Sequence, residues 1–243
     1  MRYFIAGGDL LLPASSPIVV YATSDFSSGT LAPFTNPWGT NIAVIADPTA
    51  SGRGNVVELT YVCASLDSNE RAVTYTHPSR LRYGQTIWMA GDLYIPTGFA
   101  NQTLTDNRKL IDYQGGGVRM TLHVRNNDLR LSIVDWMNGT EQETIAETTG
   151  YTLNADTWYT LQVRMTTNSA DNIRDGVLAV YANGASTPFY TRTTGLGWIT
   201  EAFAGGSYFD TFLAGFQLTV SGATGYTEKR YWDNITYASG RIL

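Results

Sequence analysis

Arg119-Met120-Thr121-Leu122-His123-Val124-Arg125 alternates polar and apolar side chains, and after Asn126-Asn127-Asp128 the alternation resumes in Leu129-Arg130-Leu131-Ser132-Ile133. Period two marks an extended strand with one buried face: Met120, Leu122 and Val124 point one way, Arg119, Thr121, His123 and Arg125 the other. A tight Asn/Asp turn between two such runs closes an antiparallel hairpin. The stretch therefore predicts a sheet with one core face and one polar, cationic face. Arg, Thr, His and Arg in a row suit an anionic, hydroxyl-rich ligand such as an acidic polysaccharide, although a plain solvated face reads the same way.

Outward from this hairpin the pattern repeats. Strands are predicted near 41–46, 56–63, 71–76, 85–95, 108–113, 117–125, 129–136, 158–166, 176–182, 213–220 and 229–237. Asn183-Gly184, a dipeptide tolerant of positive φ, closes another turn. Charged residues make up only 15%, against 24 Gly, 15 Tyr and 6 Trp, a balance that favours strands and tight turns over amphipathic helices. The 243 residues fit one large all-β domain, residues 21–243, built as an antiparallel β-sandwich or jelly roll. Residues 1 to about 20 are apolar, nearly uncharged and broken by Pro13 and Pro17. They read as an extended N-terminal arm packing along its own domain or onto a neighbouring subunit.

Composition excludes several functions. A net charge of -5 and a pI near 5.0 argue against nucleic acid, whose binding rests on clustered Lys and Arg. Cys63, the single cysteine, reads as a small buried strand residue, and with only His77 and His123 it cannot make a Cys/His zinc site. No run has the length of an apolar membrane span, and the N-terminus does not read as a secretion signal, because Asp9, Gly7-Gly8 and the prolines interrupt it. Asp171-Asn172-Ile173-Arg174-Asp175-Gly176 offers loop oxygens to Ca²⁺, but Arg174 and the missing distal acid favour a plain Asx-Gly turn.

Several segments together resemble the concanavalin A-like jelly roll, and within it polysaccharide lyases of the glucuronan- and alginate-cleaving type. Asp25-Phe26-Ser27-Ser28-Gly29-Thr30-Leu31 and Gly91-Asp92-Leu93-Tyr94-Ile95-Pro96-Thr97-Gly98-Phe99 are similar to scaffold segments of such domains. The segments Thr157 to Arg164 and Asp175 to Gly184 resemble a pair of their strands. Phe203-Ala204-Gly205-Gly206 and Trp232-Asp233-Asn234-Ile235 resemble two further motifs, so the resemblance spans about residues 21 to 238. The stretch Asn107-Arg108-Lys109-Leu110-Ile111-Asp112 keeps the Lys-Leu of the family's catalytic region and lacks the glycines before it and the Pro-Gly after it.

β-Elimination from a uronate polymer needs a cation at the carboxylate, a base for the neighbouring proton and an acid for the leaving oxygen. Arg119 and Arg125 are candidates for the carboxylate, Lys109 or His123 for the base and Tyr113 for the acid; strict alternation puts Lys109, Ile111 and Tyr113 on one strand face. Thr121, Arg130 and Trp136 complete the expected ligand face, Trp136 sharing parity with Arg130 and Ser132. Hydrolysis is disfavoured: no strand alternates carboxylates, and Glu141, Glu143 and Glu147 read as a solvated hairpin tip.

The eroded motif around Lys109, the arm and the absent signal lead to a non-catalytic jelly-roll module that binds glycans on its concave face. Its expected setting is a larger surface assembly such as a phage capsid decoration or an adhesion protein, with protein subunits docking on the arm. The alternative is an active polysaccharide lyase.

Overall fold

The computed structural model describes residues 17–36, 41–63, 68–97, 107–115, 118–125, 130–136, 144–171, 173–198, 211–215, 217–219 and 226–242. Residues 1–16 of the expected arm, the Asn126-Asn127-Asp128 turn, the 98–106 loop, Glu141, Glu143 and the Phe203-Ala204-Gly205-Gly206 motif lie outside them. The described residues form sixteen strands in two antiparallel sheets and no helix, an all-β sandwich.

The first sheet runs β13 (Tyr190–Arg192), β12 (Val177–Ala182), β11 (Thr157–Thr166), β6 (Thr86–Ile95), β16 (Tyr226–Ala238), β3 (Asn55–Cys63), β2 (Ile42–Ala46), with β1 (Val20–Ser24) also paired to β16. The second runs β10 (Thr144–Thr152), β9 (Arg130–Trp136), β8 (Val118–Arg125), β7 (Asn107–Gly115), β14 (Thr211–Ala214), β5 (Val73–Thr76). In the same sheet β15 (Gln217–Thr219) bridges β7 and β4 (Ser68–Glu70).

Alternation explains the layering. Ile87, Met89, Leu93 and Ile95 of β6 and Tyr159, Leu161, Val163 and Met165 of β11 are buried against Ile111, Met120, Leu122, Val124 and Phe212 of the other sheet. Phe212 stacks on Tyr237 across the gap with ring centroids 5.7 Å apart. Burial of each large apolar side chain contributes roughly 1.5–3 kcal/mol, so this shared interior is the main source of stability. Trp198 and Trp232 belong to it and are fully buried.

Strands β1, β4, β10 and β13 lie outside the eleven expected from the sequence, and one expected strand is divided. Glu147 sits in strand β10, paired with Ile133, and not at a hairpin tip; a threonine-rich segment fits a pleated strand as readily as a loop. The expected strand 213–220 divides at Gly215, whose φ of +67° turns the chain. A side chain there would run into Leu59, and only glycine accepts that approach.

Before β3, Asp47 organises a tight loop: its carboxylate accepts hydrogen bonds from the backbone N–H and hydroxyl of Thr49 (2.8 and 2.6 Å) and of Ser51 (2.9 and 2.6 Å). Burial raises the pKa of this carboxyl, but the bonds from Ser51 and Thr49 outweigh it and hold the group well below the usual carboxylate range. The sign follows from linkage: the stabilisation is present above the unfolded-state pKa of about 3.9 and is lost as pH falls through the lower folded value. Asp47→Asn should therefore lower the melting temperature at neutral pH and flatten the loss of stability below about pH 4, read from thermal melts across an acid series.

Candidate functional site

Three strands of the second sheet carry the candidate residues, and their register decides which face each occupies. Along β7 and β8 the pairs are Asn107 with Arg125, Arg108 with Val124 and Lys109 with His123, and then Ile111 with Leu122 and Tyr113 with Met120. One residue, Leu110, is extra: a β-bulge. Directly paired residues project from the same face, so the bulge sets Lys109 on the face of His123 and leaves Ile111 and Tyr113 with the core residues Leu122 and Met120.

This overturns the expected shared face of Lys109 and Tyr113. Tyr113 is 1% exposed, its ring lies 5.7 Å from Phe212 and 6.2 Å from Tyr237, and its hydroxyl has no hydrogen-bond partner among the described residues. Burial pushes its pKa well above the ordinary tyrosine value. A phenol inside the sandwich cannot protonate a leaving group on the outer face, and Tyr113 is a core residue.

The bulge is held from a distance in sequence. The Leu110 carbonyl accepts the Gly215 N–H at 2.6 Å, and the Lys109 carbonyl accepts a hydrogen bond from Arg230 Nη1 at 2.6 Å. Arg230, on β16 of the opposite sheet, is fully buried; its Nε donates to Glu228 Oε1 at 2.7 Å and its guanidinium lies 4.2 Å from the Tyr61 ring centroid. An ion pair inside the sandwich thus reaches across to the backbone of Lys109.

On β8, Met120, Leu122 and Val124 are buried as alternation predicts. The opposite set is not a solvated face: Thr121 and His123 are 2% and 1% exposed, and Arg119 is half-buried. Arg119 was expected to grip a ligand carboxylate, but its Nε (2.7 Å) and Nη2 both donate to Asp112 Oδ2, and Thr121 Oγ1 donates to Asp112 Oδ1 at 3.3 Å. Asp112 was not among the candidates, yet its place between Ile111 and Tyr113 on an alternating strand is a signal that could have found it. Burial raises the pKa of this fully buried carboxyl, and Arg119 and then Lys109 oppose the shift. Among the described side chains of this face, one carboxylate, Asp112, stands against two basic groups, Arg119 and Lys109, a balance that favours an anionic ligand.

Asp112→Asn removes the charge that anchors Arg119. The expected cost is about 2 kcal/mol in chemical denaturation, the scale of a hydrogen bond to a charged group.

Arg125, Arg130 and Trp136 are placed by backbone pairing, with Asn107, Thr152 and Arg119 respectively; their side chains lie outside the described residues. In the expected calcium loop, Asp171 Oδ1 accepts from the Tyr83 hydroxyl at 2.7 Å and Asp175 Oδ1 from the Ser169 N–H at 2.8 Å, while Asn172 lies outside the described residues. Among the described residues no three His, Cys, Asp or Glu side chains converge to hold a metal ion.

No protein-family model and no curated protein sequence matches the chain. Solved structures do. The endo-β-1,4-glucuronan lyase of the fungus Trichoderma reesei superposes with a TM-score of 0.67 at 10% identity, over 91% of this chain and 96% of that one. A marine alginate lyase from Aplysia kurodai gives 0.61 at 14% identity, over 91% and 100%. An alginate lyase from Chlorella virus gives 0.53 at 14% identity, over 82% and 89%. The motif resemblance and the shape thus point to the same group of jelly-roll structures, and at these identities the likeness is one of fold.

Proposed function

We propose that the chain is a polysaccharide lyase that cleaves a uronate-containing polymer by β-elimination on the outer face of the second sheet. The observation that carries this reading is the bulge at Leu110, which sets Lys109 directly across from His123 on the face that holds Asp112 and Arg119. The lyases of similar shape support it over the surface-assembly module that the sequence suggested.

Lys109 is the more exposed of the two proton-carrying groups and takes the proton from C5 of the uronate. As it does so, positive charge appears on Lys109 while negative charge grows on the substrate carboxylate, a stabilisation present chiefly in the transition state. The C5–H electron pair forms the C4=C5 double bond, the C4–O bond breaks, and a water molecule protonates the departing oxygen. Asp112 fixes Arg119 beside this pair, so Arg119 contributes charge without itself gripping the ligand.

The test is product chemistry on glucuronan, polymannuronate and polyguluronate. Elimination yields one ultraviolet-absorbing unsaturated end for each new reducing end. Reducing ends without absorbance would mean hydrolysis, and retention of a polymer without either product would mean a binding module; both outcomes reject the proposal.

A further inference from the structure

Both sheets end in strands with an unpaired edge, and among the described residues all but one of these edges are guarded. β13 is three residues long and carries Arg192. β5 is capped by Thr35, which exchanges backbone hydrogen bonds with Thr74 at 2.9 Å in both directions. β10 carries Glu147 and a register shift between Thr148 and Thr152. β1 is shifted between Val20 and Ala22, and β4 is three residues ending on Glu70. Short length, charge, bulges and cover are the devices by which natural sheets avoid pairing with another chain. β2 has none of them: Ile42-Ala43-Val44-Ile45-Ala46 is uncharged, free of proline and paired with β3 in unbroken register. No described strand pairs with its other edge.

The ladder to β3 decides which groups that edge presents. The Asn41 carbonyl accepts the Thr60 N–H at 2.9 Å and the Asp47 N–H donates to the Gly54 carbonyl at 2.7 Å, so the odd-numbered residues bond inward to β3. Ile42, Val44 and Ala46 therefore turn their N–H and C=O groups outward. A second copy of the strand, antiparallel about a two-fold axis at Val44, matches all of them: every outward N–H meets a C=O. In that register Ile42 stands opposite Ala46 and Ala43 opposite Ile45, a large side chain against a small one on each side of the axis. Ile42 and Val44 pair with the core residues Leu59 and Val57 and pack on the interior, which leaves Ala43 and Ile45 on the outer side of the seam.

Charge favours the same edge. The chain carries a net charge of -5, so two copies repel overall, and β2 offers a seam with no charge on either strand. The nearest carboxylates are engaged within the chain: Asp47 by Thr49 and Ser51, and Glu58, across from Ala43, by Lys229 at 2.9 Å. A seam five residues long buries less than the roughly 1,200–2,000 Å² of a stable interface, so the association is reversible and governed by concentration.

We infer that the free edge of β2 pairs with the same edge of a second copy of this chain, joining two first sheets into one continuous sheet. The axis stands normal to that sheet, so both copies turn their second sheets to the same side. On the lyase reading this offers two substrate faces to one long polymer; the pairing itself rests only on β2. Sedimentation velocity and amide hydrogen exchange over a dilution series test it. Rising concentration should convert monomer to dimer, and over the same range the Ile42, Val44 and Ala46 amides should gain at least tenfold in protection. The Ala43 and Ile45 amides, already held by β3, should change less. Val44→Pro removes an outward N–H and no bond of the β3 ladder, and should weaken dimerisation at least tenfold in a chain still folded by circular dichroism. Ile45→Lys, which sets like charges on both sides of the axis, should do the same, and adding Ala43→Glu should restore the dimer by placing opposite charges across the seam. A chain that stays monomeric at millimolar concentration overturns the inference. So does equal protection of the edge amides at every concentration, which would mean that another segment of the same chain covers β2, and so does a dimer that persists in both folded single variants. Absence of elimination activity would reject the lyase reading and leave these readouts unchanged.

Discussion

Replacement of Lys109 by alanine is expected to lower the rate of elimination roughly 10³-fold, the scale of losing a positioned acid–base group. The fold should survive, because the carbonyl of Lys109 bonded to Arg230 is untouched by truncation of the side chain, and Arg119 still faces the buried Asp112. Lys109 is half-buried and outside the apolar core, so its truncation leaves the apolar interior intact. Lys109→Arg separates the two duties of the residue. It fixes permanently the positive charge that Lys109 gains on taking the proton, so an acidic oligosaccharide still binds, but a guanidinium stays protonated and cannot accept the C5 proton. Initial rates of ultraviolet absorbance, with binding measured alongside, should show turnover lost in both variants and affinity retained in the arginine one.

The second large effect lies on the opposite sheet. Arg230→Met should destabilise the protein by about 3–5 kcal/mol, because it leaves the Glu228 carboxylate, 3% exposed, in the interior without the guanidinium that faces it. The double variant Arg230→Met with Glu228→Leu should recover most of that loss, since an apolar pair of similar volume often replaces a buried ion pair at little cost. Activity should not recover with it. The Lys109 carbonyl still lacks its donor, and a bulge held only by Gly215 sets Lys109 less firmly against His123. Denaturant unfolding and elimination rates on the same three proteins check this, and a stable double variant with native activity would show that Arg230 has no part in placing Lys109.

The strand faces were legible because alternation is local: Met120, Leu122 and Val124 announce their burial in the spacing alone. The bulge was not. Leu110 is an ordinary strand residue, and what makes it extra is a pair of donors, Gly215 and Arg230, more than a hundred positions along the chain. One unseen residue reversed the parity of Lys109 relative to Tyr113, and so placed a core tyrosine on the candidate face. Burial of the polar face was hidden for a related reason: Asp112, Thr121 and His123 have the composition of a solvated face, and only the fold shows them covered. The Glu228-Lys229-Arg230 run likewise reads as a charged surface, although Arg230 shares strand parity with the core residue Trp232.

The chain has just two lysines, Lys109 on the proposed catalytic face and Lys229, bonded to Glu58 at 2.9 Å on the other sheet. Reductive ¹³C-methylation therefore gives two lysine side-chain signals, assigned with a Lys229→Arg variant, beside that of the chain terminus. On titration with an unsaturated-end-free oligouronate, the Lys109 signal should shift and saturate while the Lys229 signal stays in place. A saturating shift of Lys229 alone, or binding of the oligouronate with the Lys109 signal unmoved, would contradict the claim that the face beyond the Leu110 bulge receives the acidic substrate.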